Sequence, residues 1–389
     1  MEEKVSSRPM DVKPNATYGE IRSDLTKEMR WEELRSEKYW EYRKNWEEYP
    51  KAGITPDFPL CINIETTNVC NLDCIMCPRT VLIARGTFAP IGLMNFDLYR
   101  KIIDEGEKYN LPSVKLQYLG EPLVHRDLAK QIRYAKDAGV LDVMFNTNAT
   151  LLTEEKSHEI LEAGIDAIFF PFDSMDPDTY NKIRLGASFD KVVENIVRFI
   201  EIKNAKGYDH VHTRTSLTVI EHDIDDLEKF KEFWLDYVDA VGFGIYHDLN
   251  EDGCLDSPYV PEFVCAQPFQ RLFIMWDGVA TPCCTDENRY YKMGDVNKES
   301  VHSVWHGPKA RALRDAHLDR KYKEIDICAK CYFPHTELDG QVISFQDVGA
   351  EVRDLAERQR SRWISDNNPE LSKKARARSK KRQSNAKRT

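Results

Sequence analysis

The chain has 389 residues, of which 41% are hydrophobic, and a formal net charge of −10. This length suits one large core with an appended small domain, or two medium domains. The negative charge argues against nucleic acid as the main partner of the folded body, and no apolar run approaches the length of a membrane span. The N-terminus is polar and lacks the apolar segment of a secretory signal, so we expect a cytoplasmic protein.

Residues 1–57 predict a charged, helical N-terminal extension. Within it, residues 24–48 have the pattern of an amphipathic helix that ends before Pro50 and Gly53. Aromatic side chains such as Trp31, Trp40, Tyr42 and Trp46 occur along this stretch. We expect the helix to pack against the main domain as a lid or a brace, with the aromatic side chains serving packing rather than substrate binding.

Residues 58–250 alternate short β-rich runs with helical stretches of about a dozen residues, a rhythm typical of βα units and a parallel sheet. The predicted strands are 60–67, 114–119, 140–147, 167–172, 212–220 and 240–246. The predicted helices include 98–108, 128–138, 154–163 and 189–203. Six such units predict an α/β fold, a partial (β/α)6 TIM-like barrel whose chemistry lies at the C-terminal ends of the strands.

Three cysteines follow the first predicted strand directly: Cys70, Cys74 and Cys77. Three thiolates on one loop would leave one iron of a four-iron cluster open for a small molecule, which a closed four-cysteine site would not. A zinc site normally takes four ligands, and this loop offers three with no histidine nearby. A redox CxxC needs only two cysteines. The spacing therefore favours an iron–sulfur cluster with an open coordination position.

This CxxxCxxC loop resembles the signature of the radical S-adenosylmethionine (SAM) superfamily. Further elements at strand ends resemble the SAM-contacting motifs of that superfamily, and they implicate Gly120, Glu121, Asn148, Asp173, Ser174 and Arg184. The resemblance implies that Glu121 receives the amino group of SAM. It also implies that polar residues after the third and fourth strands contact the ribose or the carboxylate of SAM. Ala149 stands where the superfamily carries glycine.

Each of these elements also has a purely structural interpretation. Gly120 is a common turn residue, and Asp173 or Ser174 suits a helix N-cap. Asn148 and Arg184 serve a structural role equally well. Around the fifth strand the glycine-rich element of the superfamily is poorly matched, so the sequence does not define the adenine contacts.

A second cysteine group comprises Cys265, Cys283, Cys328 and Cys331. Four thiolates in two pairs suit either zinc or an iron–sulfur cluster, and spacing alone does not choose. The pattern Cys-x12-Gly-x4-Cys, followed after a gap by CxxC, resembles the auxiliary-cluster domain called SPASM in its long form and Twitch in its short form. No cysteine follows Cys331, so the short form with one auxiliary [4Fe–4S] cluster is the better match.

Three further cysteines are assigned to no cluster: Cys61, Cys254 and Cys284. The domain prediction continues with this auxiliary domain at 251–336, a final helix at 337–370 and a basic tail at 371–389. From Lys373 to Thr389 the tail carries nine Lys or Arg residues and no acids, which is typical of a disordered, solubilising segment.

The resemblance implies a radical SAM oxidoreductase with two [4Fe–4S] clusters and SAM. It would take hydrogen from a small polar, sugar- or aminocyclitol-like substrate and draw its electrons from a donor such as flavodoxin or ferredoxin. A peptide- or protein-modifying maturase is the alternative, and a non-enzymatic electron-transfer protein is a third. The proton acceptor stays open among Tyr118, Glu121, Asp173, Arg214, Tyr246 and His247. We expect no membrane partner, and the sequence leaves the oligomeric state open.

Overall fold

The computed structural model describes residues 18–22, 31–219, 224–245, 263–331 and 333–335. The strands are β1 (Tyr18–Arg22), β2 (Cys61–Ile64), β3 (Ser113–Lys115), β4 (Asp142–Asn146), β5 (Ala167–Pro171), β6 (His212–Val219), β7 (Ala240–Ile245), β8 (Arg271–Ile274), β9 (Val279–Thr281) and β10 (Gly294–Asp295). The predicted C-terminal helix, the basic tail, Tyr246, His247 and Cys254 lie outside the described residues.

Twelve α-helices occur in the described part of the chain. They are α1 (Glu37–Ala52), α2 (Pro78–Ala84), α3 (Phe96–Lys108), α4 (Leu128–Asp137), α5 (Glu154–Ala163), α6 (Pro177–Ile183), α7 (Phe189–Ala205), α8 (Ile224–Leu235), α9 (Gln267–Gln270), α10 (Val301–Trp305), α11 (Pro308–Leu318) and α12 (Asp326–Ala329). In the described ranges, no helix is both long and apolar enough to cross a bilayer.

One sheet of ten strands organises the fold, in the order β1-β7-β6-β5-β4-β3-β2-β8-β9-β10. Strands β2 to β7 are parallel neighbours in chain order, with helices between them. The linear order leaves the described sheet open at β1 and β10. The six predicted strands and the predicted partial-barrel architecture are therefore confirmed, and β8 extends the parallel run on the far side of β2.

The predicted strands and helices recur with small shifts at their ends. α5 has the predicted bounds because Thr153 caps its N-terminus through a hydrogen bond to Lys156 N and Gly164 ends it with φ +91°. The run predicted at 114–119 is strand only to Lys115, since the chain turns there towards the residues at the sheet edge.

The N-terminal segment packs against the N-terminal ends of the strands, opposite the cysteine loop. Trp31 stacks on His212, the first residue of β6, with 4.3 Å between ring centroids. Trp46 lies under the guanidinium of Arg271, the first residue of β8, at 4.5 Å. The predicted aromatic packing is thus present, and the helix acts as a brace at the base of the barrel rather than as a lid over the reaction side.

α1 begins at Glu37, where Ser36 caps it, and not at residue 24 as the sequence suggested. It also does not end before Pro50 but continues to Ala52, where Gly53 caps it with φ +66°. A proline within a helix leaves the carbonyl four residues earlier without its N–H donor. Here that carbonyl belongs to Trp46, and the side-chain amide of Gln270 donates to it at 2.6 Å. A tertiary contact therefore replaces the missing helical hydrogen bond.

Asp166, just before β5, joins the N-terminal segment to the base of the barrel. Its carboxylate accepts hydrogen bonds from Arg35 at 2.9 Å and from Lys136 at 2.6 Å, and the side chains of Arg35 and Asp166 are each only 6% exposed. It also accepts from the backbone N–H of Val143. Because a buried carboxylate needs its partners to offset desolvation, Arg35 anchors the extension to the barrel.

We expect Arg35→Met to lower the free energy of unfolding by about 2–3 kcal/mol, because it leaves the buried Asp166 carboxylate with one cationic partner instead of two. Urea unfolding followed by tryptophan fluorescence measures this. The matched control is Lys44→Met, which breaks only an exposed pair with Glu48 and should change stability by less than about 0.5 kcal/mol. Equal effects for both variants would contradict the anchoring role.

Candidate active site

The three cysteines of the first group lie together on the loop between β2 and α2. Cys77 occupies the N-cap of α2 with Pro78 following it. Burial raises the pKa of its thiol, and the backbone N–H groups of Arg79 and Thr80 oppose that rise. The Arg79 side chain, itself buried, donates from Nε to the carbonyl of Asn68 at 3.0 Å. The loop is therefore held at both its start and its end.

Burial dominates the acidity of these thiols. It raises the pKa of Cys74 to about 12, a rise that the neighbouring Cys77 and Cys70 thiolates reinforce and the Arg184 guanidinium opposes. The pKa of Cys70 is likewise raised by burial and, more weakly, by Cys77. Three thiols this close deprotonate together only when a cationic centre compensates them, as a metal cluster does.

Glu121 fastens the loop after β3 to the loop after β4. Its buried carboxylate accepts from Thr147 Oγ1 at 2.6 Å, from the backbone N–H of Asn148 at 2.8 Å and from that of Leu123 at 3.1 Å. Its own N–H donates to the carbonyl of Val69 at 2.9 Å, next to Cys70. The carboxylate oxygens also face the cavity beside the cysteine loop.

Gly120 lets the loop after β3, which carries Glu121, approach the cysteine loop. A Cβ at position 120 would lie 2.1 Å from the carbonyl oxygen of Thr67 and 2.8 Å from that of Val69. No side chain fits there, because both neighbours are backbone atoms that cannot move aside cheaply. Position 120 therefore requires glycine, because two backbone segments approach each other closely there.

Asn148 braces the cysteine loop from the side. Its amide nitrogen lies 3.9 Å from Cys70 Sγ and donates to Asn71 Oδ1 at 3.1 Å, while its carbonyl oxygen accepts from Thr150. The side chain also lines the cavity. Ala149 takes φ +58° at the position where the superfamily has glycine, and its N–H bonds to Thr147 Oγ1.

Asp173 and Arg184 form a buried ion pair in which Arg184 Nε and Nη2 contact Oδ2 at 2.8 and 2.6 Å. The second carboxylate oxygen accepts from the N–H of Thr218 on β6. Arg184 lines the cavity, whereas Asp173 and Ser174 are not among the described residues that line it. Asp173 therefore positions Arg184, and Ser174 accepts from the N–H of Asp176 within a turn.

A cavity of about 390 Å³ lies between the cysteine loop and the strand ends. It is lined by Cys70, Cys74, Met76, Cys77, Pro78, Gln117, Tyr118, Leu119, Gly120, Glu121, Asn146, Thr147, Asn148, Pro171, Arg184, Thr218 and Glu287. Four of the six predicted SAM-contacting residues thus meet the three predicted cluster ligands around one space. Of the proposed proton acceptors within the described residues, Tyr118 and Glu121 line this cavity, and Asp173 and Arg214 do not.

Glu287 is a cavity residue that sequence analysis missed. It lies in the loop after Cys283 of the second group, yet it lines the cavity of the first. Burial, assisted by the neighbouring Asp286 carboxylate, raises the pKa of Glu287 to about 7. No local pattern marks it, since only the packing of the second group against the barrel brings position 287 to the reaction side.

The four predicted auxiliary ligands surround a separate space. Cys265, Cys283, Cys328 and Cys331 line it together with Thr285 and His317. Burial raises the pKa of Cys265 to about 12, and the nearby Cys283 thiolate adds to the rise. Nδ1 of His317 accepts a hydrogen bond from the backbone N–H of Cys265. The ring proton is therefore assigned to Nε2, which lies 3.6 Å from Cys328 Sγ.

The two remaining described cysteines stand apart from both sites. Cys284 is absent from the residues around the auxiliary space; its thiol accepts from Gln267 Nε2 at 3.3 Å, and its carbonyl accepts from Tyr118. Cys61 is a buried residue at the start of β2. Both positions agree with the expectation that neither thiol is a cluster ligand.

The donor sets fit the two clusters that the sequence pattern implied. Three converging thiols beside an open cavity suit a [4Fe–4S] cluster with one free iron, and the carboxylate of Glu121 and the guanidinium of Arg184 offer partners for the charged ends of an amino acid. Four thiols around a closed space suit a fully ligated cluster. Hydrogen bonds to sulfur, such as that from His317, tune such clusters.

Comparison with known families identifies both parts of the chain. Residues 64–233 match the radical SAM superfamily, and residues 265–332 match an iron–sulfur cluster-binding domain, SPASM. The chain therefore carries a radical SAM domain followed by a SPASM-type iron–sulfur domain, and it is an enzyme. The first domain implies a [4Fe–4S] cluster and SAM, and the second implies auxiliary iron–sulfur binding.

Relatives include the tungsten-containing aldehyde ferredoxin oxidoreductase cofactor-modifying protein of Pyrococcus furiosus. It is 26% identical over 291 residues, which cover 62% of this chain and 79% of that protein. A probable GTP 3′,8-cyclase of Methanococcus maripaludis is 31% identical over 140 residues. That match covers 36% of this chain, and this chain spans only 45% of the cyclase.

Solved structures support the fold. Native anSMEcpe with bound AdoMet matches with a TM-score of 0.53 at 15% identity, covering 80% of this chain and all of that chain. Streptococcus suis SuiB bound to the precursor peptide SuiA matches with a TM-score of 0.51 at 14% identity, covering 71% and 70%. At these identities the likeness concerns the fold alone.

We expect Gly120→Ala to weaken SAM binding by about tenfold or more, because the added methyl group forces the Glu121 element away from the cysteine loop. Equilibrium dialysis of the anaerobically reconstituted enzyme against labelled SAM measures this. Gly139→Ala is the control: it also adds one methyl group, but the new Cβ meets nothing within 4 Å and only local backbone strain results. Unchanged binding by Gly120→Ala would contradict the close-approach argument.

Proposed function

We propose that the chain is a radical SAM oxidoreductase that oxidises a small polar substrate by two electrons and passes one of them to a single auxiliary [4Fe–4S] cluster. The observation that carries this is the shared cavity: the cysteine loop forms one wall, and the loop that follows the auxiliary ligand Cys283 contributes Glu287 to the same space. Hydrogen removal, proton removal and electron removal can then occur around one substrate.

We assign the first cluster to Cys70, Cys74 and Cys77, and the auxiliary cluster to Cys265, Cys283, Cys328 and Cys331. When bound, these groups together with SAM supply a 5′-deoxyadenosyl radical that takes a hydrogen atom from a substrate C–H bond, and an acceptor for the electron that the substrate then loses. The donor that reduces the first cluster would be a flavodoxin or a ferredoxin.

We assign the SAM site to the residues at the strand ends. Glu121 would hold the amino group, since its Oε2 accepts one hydrogen bond, from the N–H of Asn148, and keeps a lone pair for another donor. Arg184, fixed by Asp173, would pair with the SAM carboxylate. Gly120 and Asn148 would shape the cavity wall, and Ser174 would support the turn behind it.

Glu287 is our choice for the proton acceptor. Loss of an electron from a substrate radical carrying a hydroxyl or amino group releases a proton, and a carboxylate whose pKa lies near 7 is suited to take it. Glu287 follows the assigned auxiliary ligand Cys283 in the chain, so we expect the proton and the electron to leave the substrate towards the same domain.

A small substrate fits the space better than a long peptide. The cavity volume of about 390 Å³ is in the range of small-molecule sites, and polar side chains such as Gln117, Asn146 and Thr218 line it. The peptide alternative is tested below, since the bound structure of SuiB shows that this fold also accommodates a precursor peptide.

Reduced, reconstituted enzyme supplied with SAM should form 5′-deoxyadenosine above its substrate-free background with a pool of sugars, sugar phosphates and aminocyclitols, and not with a pool of candidate peptides. Liquid chromatography with mass spectrometry quantifies it. Cys74→Ala should abolish formation, because it removes a ligand of the open cluster. Cys61→Ala, which removes a thiol outside both sites, should retain it. Stimulation by peptides alone would favour the maturase alternative, and no 5′-deoxyadenosine from cluster-loaded enzyme would refute the proposal.

With a stimulating substrate, we expect kcat to rise as pH increases through about 7, because Glu287 accepts a proton only after its raised-pKa carboxyl has ionised. In Glu287→Gln this inflection should disappear, and the ratio of oxidised product to 5′-deoxyadenosine should fall by about tenfold or more. Asp319→Asn removes one carboxylate from the surface and serves as the control. A Glu287→Gln enzyme with an unchanged pH profile would exclude Glu287 as the base.

A further inference from the structure

Some inward side chains of the barrel below the reaction cavity are partly exposed. Along β6, Thr213, Thr215 and Leu217 are buried on the helix side, whereas Arg214 and Ser216 between them remain partly exposed. In a filled barrel, layers of inward side chains close this space. Partial exposure of inward side chains therefore indicates room for a ligand that extends downward from the cavity.

Two cations face this space from opposite sides of β2. Lys115 ends β3 and points inward, because its neighbours Val114 and Leu116 are fully buried in the helix-side core. Arg271 begins β8 and also points inward, with its guanidinium over the Trp46 ring. Backbone register fixes their spacing, since Lys115 pairs with Asn63 on β2 and Arg271 pairs with Cys61 two residues earlier.

This register brings the two head groups within reach of one ligand. Neighbouring strands lie about 4.8 Å apart and each residue advances about 3.3 Å, so the two Cα atoms are about 12 Å apart across β2. Both side chains are long enough to span half that distance. Consistent with this proximity, burial first and then the charges of Arg214 and Arg271 lower the pKa of Lys115 to about 8.

Neither cation has an anionic partner within the described residues. No ion pair or hydrogen bond is formed by the Lys115 ammonium there, and Nε of Arg271 is buried without a hydrogen-bond acceptor. The nearby thiol of Cys61 does not compensate them, because burial raises its pKa. Charges withdrawn from water are ordinarily paired, whereas Lys115 and Arg271, which are only partly exposed, have no counter-charge among the described residues.

We infer that Lys115 and Arg271 form an anion subsite inside the barrel, which binds a phosphate or carboxylate group of the substrate. An ammonium and a guanidinium together suit either oxyanion. Gln117, two residues beyond Lys115, lines the reaction cavity, so the subsite lies about 7 Å deeper in the barrel. The inference rests on the proposed function only in that the anion belongs to the substrate of that reaction.

Calorimetry on the anaerobically reconstituted enzyme, with SAM at saturation so that its own carboxylate site is filled, tests the subsite with inorganic phosphate and with malonate. At least one of the two should bind. Lys115→Gln should weaken that binding by about tenfold or more, while Lys115→Arg, which keeps the charge, should stay within about threefold of wild type. The control is Lys108→Gln, the same loss of charge at an exposed position.

Absence of binding by both anions, or equal affinity in Lys115→Gln and wild type at matched iron content, would overturn the subsite. The subsite would also be overturned if Lys115→Gln shifted only the midpoint potential of the auxiliary cluster and left anion binding unchanged. The Lys115 charge would then influence the cluster and not a bound anion. Anion affinity and midpoint potential are measured without turnover, so both stay informative even when no 5′-deoxyadenosine forms. A lack of 5′-deoxyadenosine would count against the proposed function alone. If neutral sugars stimulate 5′-deoxyadenosine formation and phosphorylated or carboxylated ones do not, the proposed function stands and the substrate-anion inference falls.

Discussion

The buried carboxylate of Glu121 is the contact on which the geometry of the reaction side depends. It joins the ends of β3 and β4 through Thr147 and Asn148, and its backbone fastens to the cysteine loop at Val69. Gly120 makes that approach possible. This one buried carboxyl group, hydrogen-bonded to both strand-end loops, thereby fixes the cysteine loop relative to the cavity that it borders.

The two ends of the barrel are built for different purposes. At the base, aromatic rings and paired charges of the N-terminal segment pack against the strand starts, with Asp166 holding Arg35 and Lys136. At the other end, loops leave an open cavity. Such a division places rigidity away from the chemistry and lets loops carry the reacting groups.

Strand β8 explains how the second cysteine group takes part in the first site. It extends the parallel sheet beside β2. Arg289, in the loop after β9, pairs with the buried Glu65 just beyond β2 at 3.1 Å. These contacts hold the loop that carries Cys283 and Glu287 against the barrel. Glu287, four residues after the predicted auxiliary ligand Cys283, consequently lines the cavity beside the cysteine loop.

Hydrophobic periodicity, capping residues such as Thr153 and cysteine spacing are local properties of the chain. They were therefore enough to predict the six βα units, the two cysteine groups and the class of chemistry. The tertiary structure was needed to show that α1 runs through Pro50, that Asp173 pairs with Arg184 and that Glu287 lines the cavity. It was also needed to place Lys115 and Arg271 on the two strands that flank β2. The physical reason is common to these cases. Each depends on a contact between residues distant in sequence, such as Gln270 with Trp46, and no local pattern encodes which distant group will supply the missing partner.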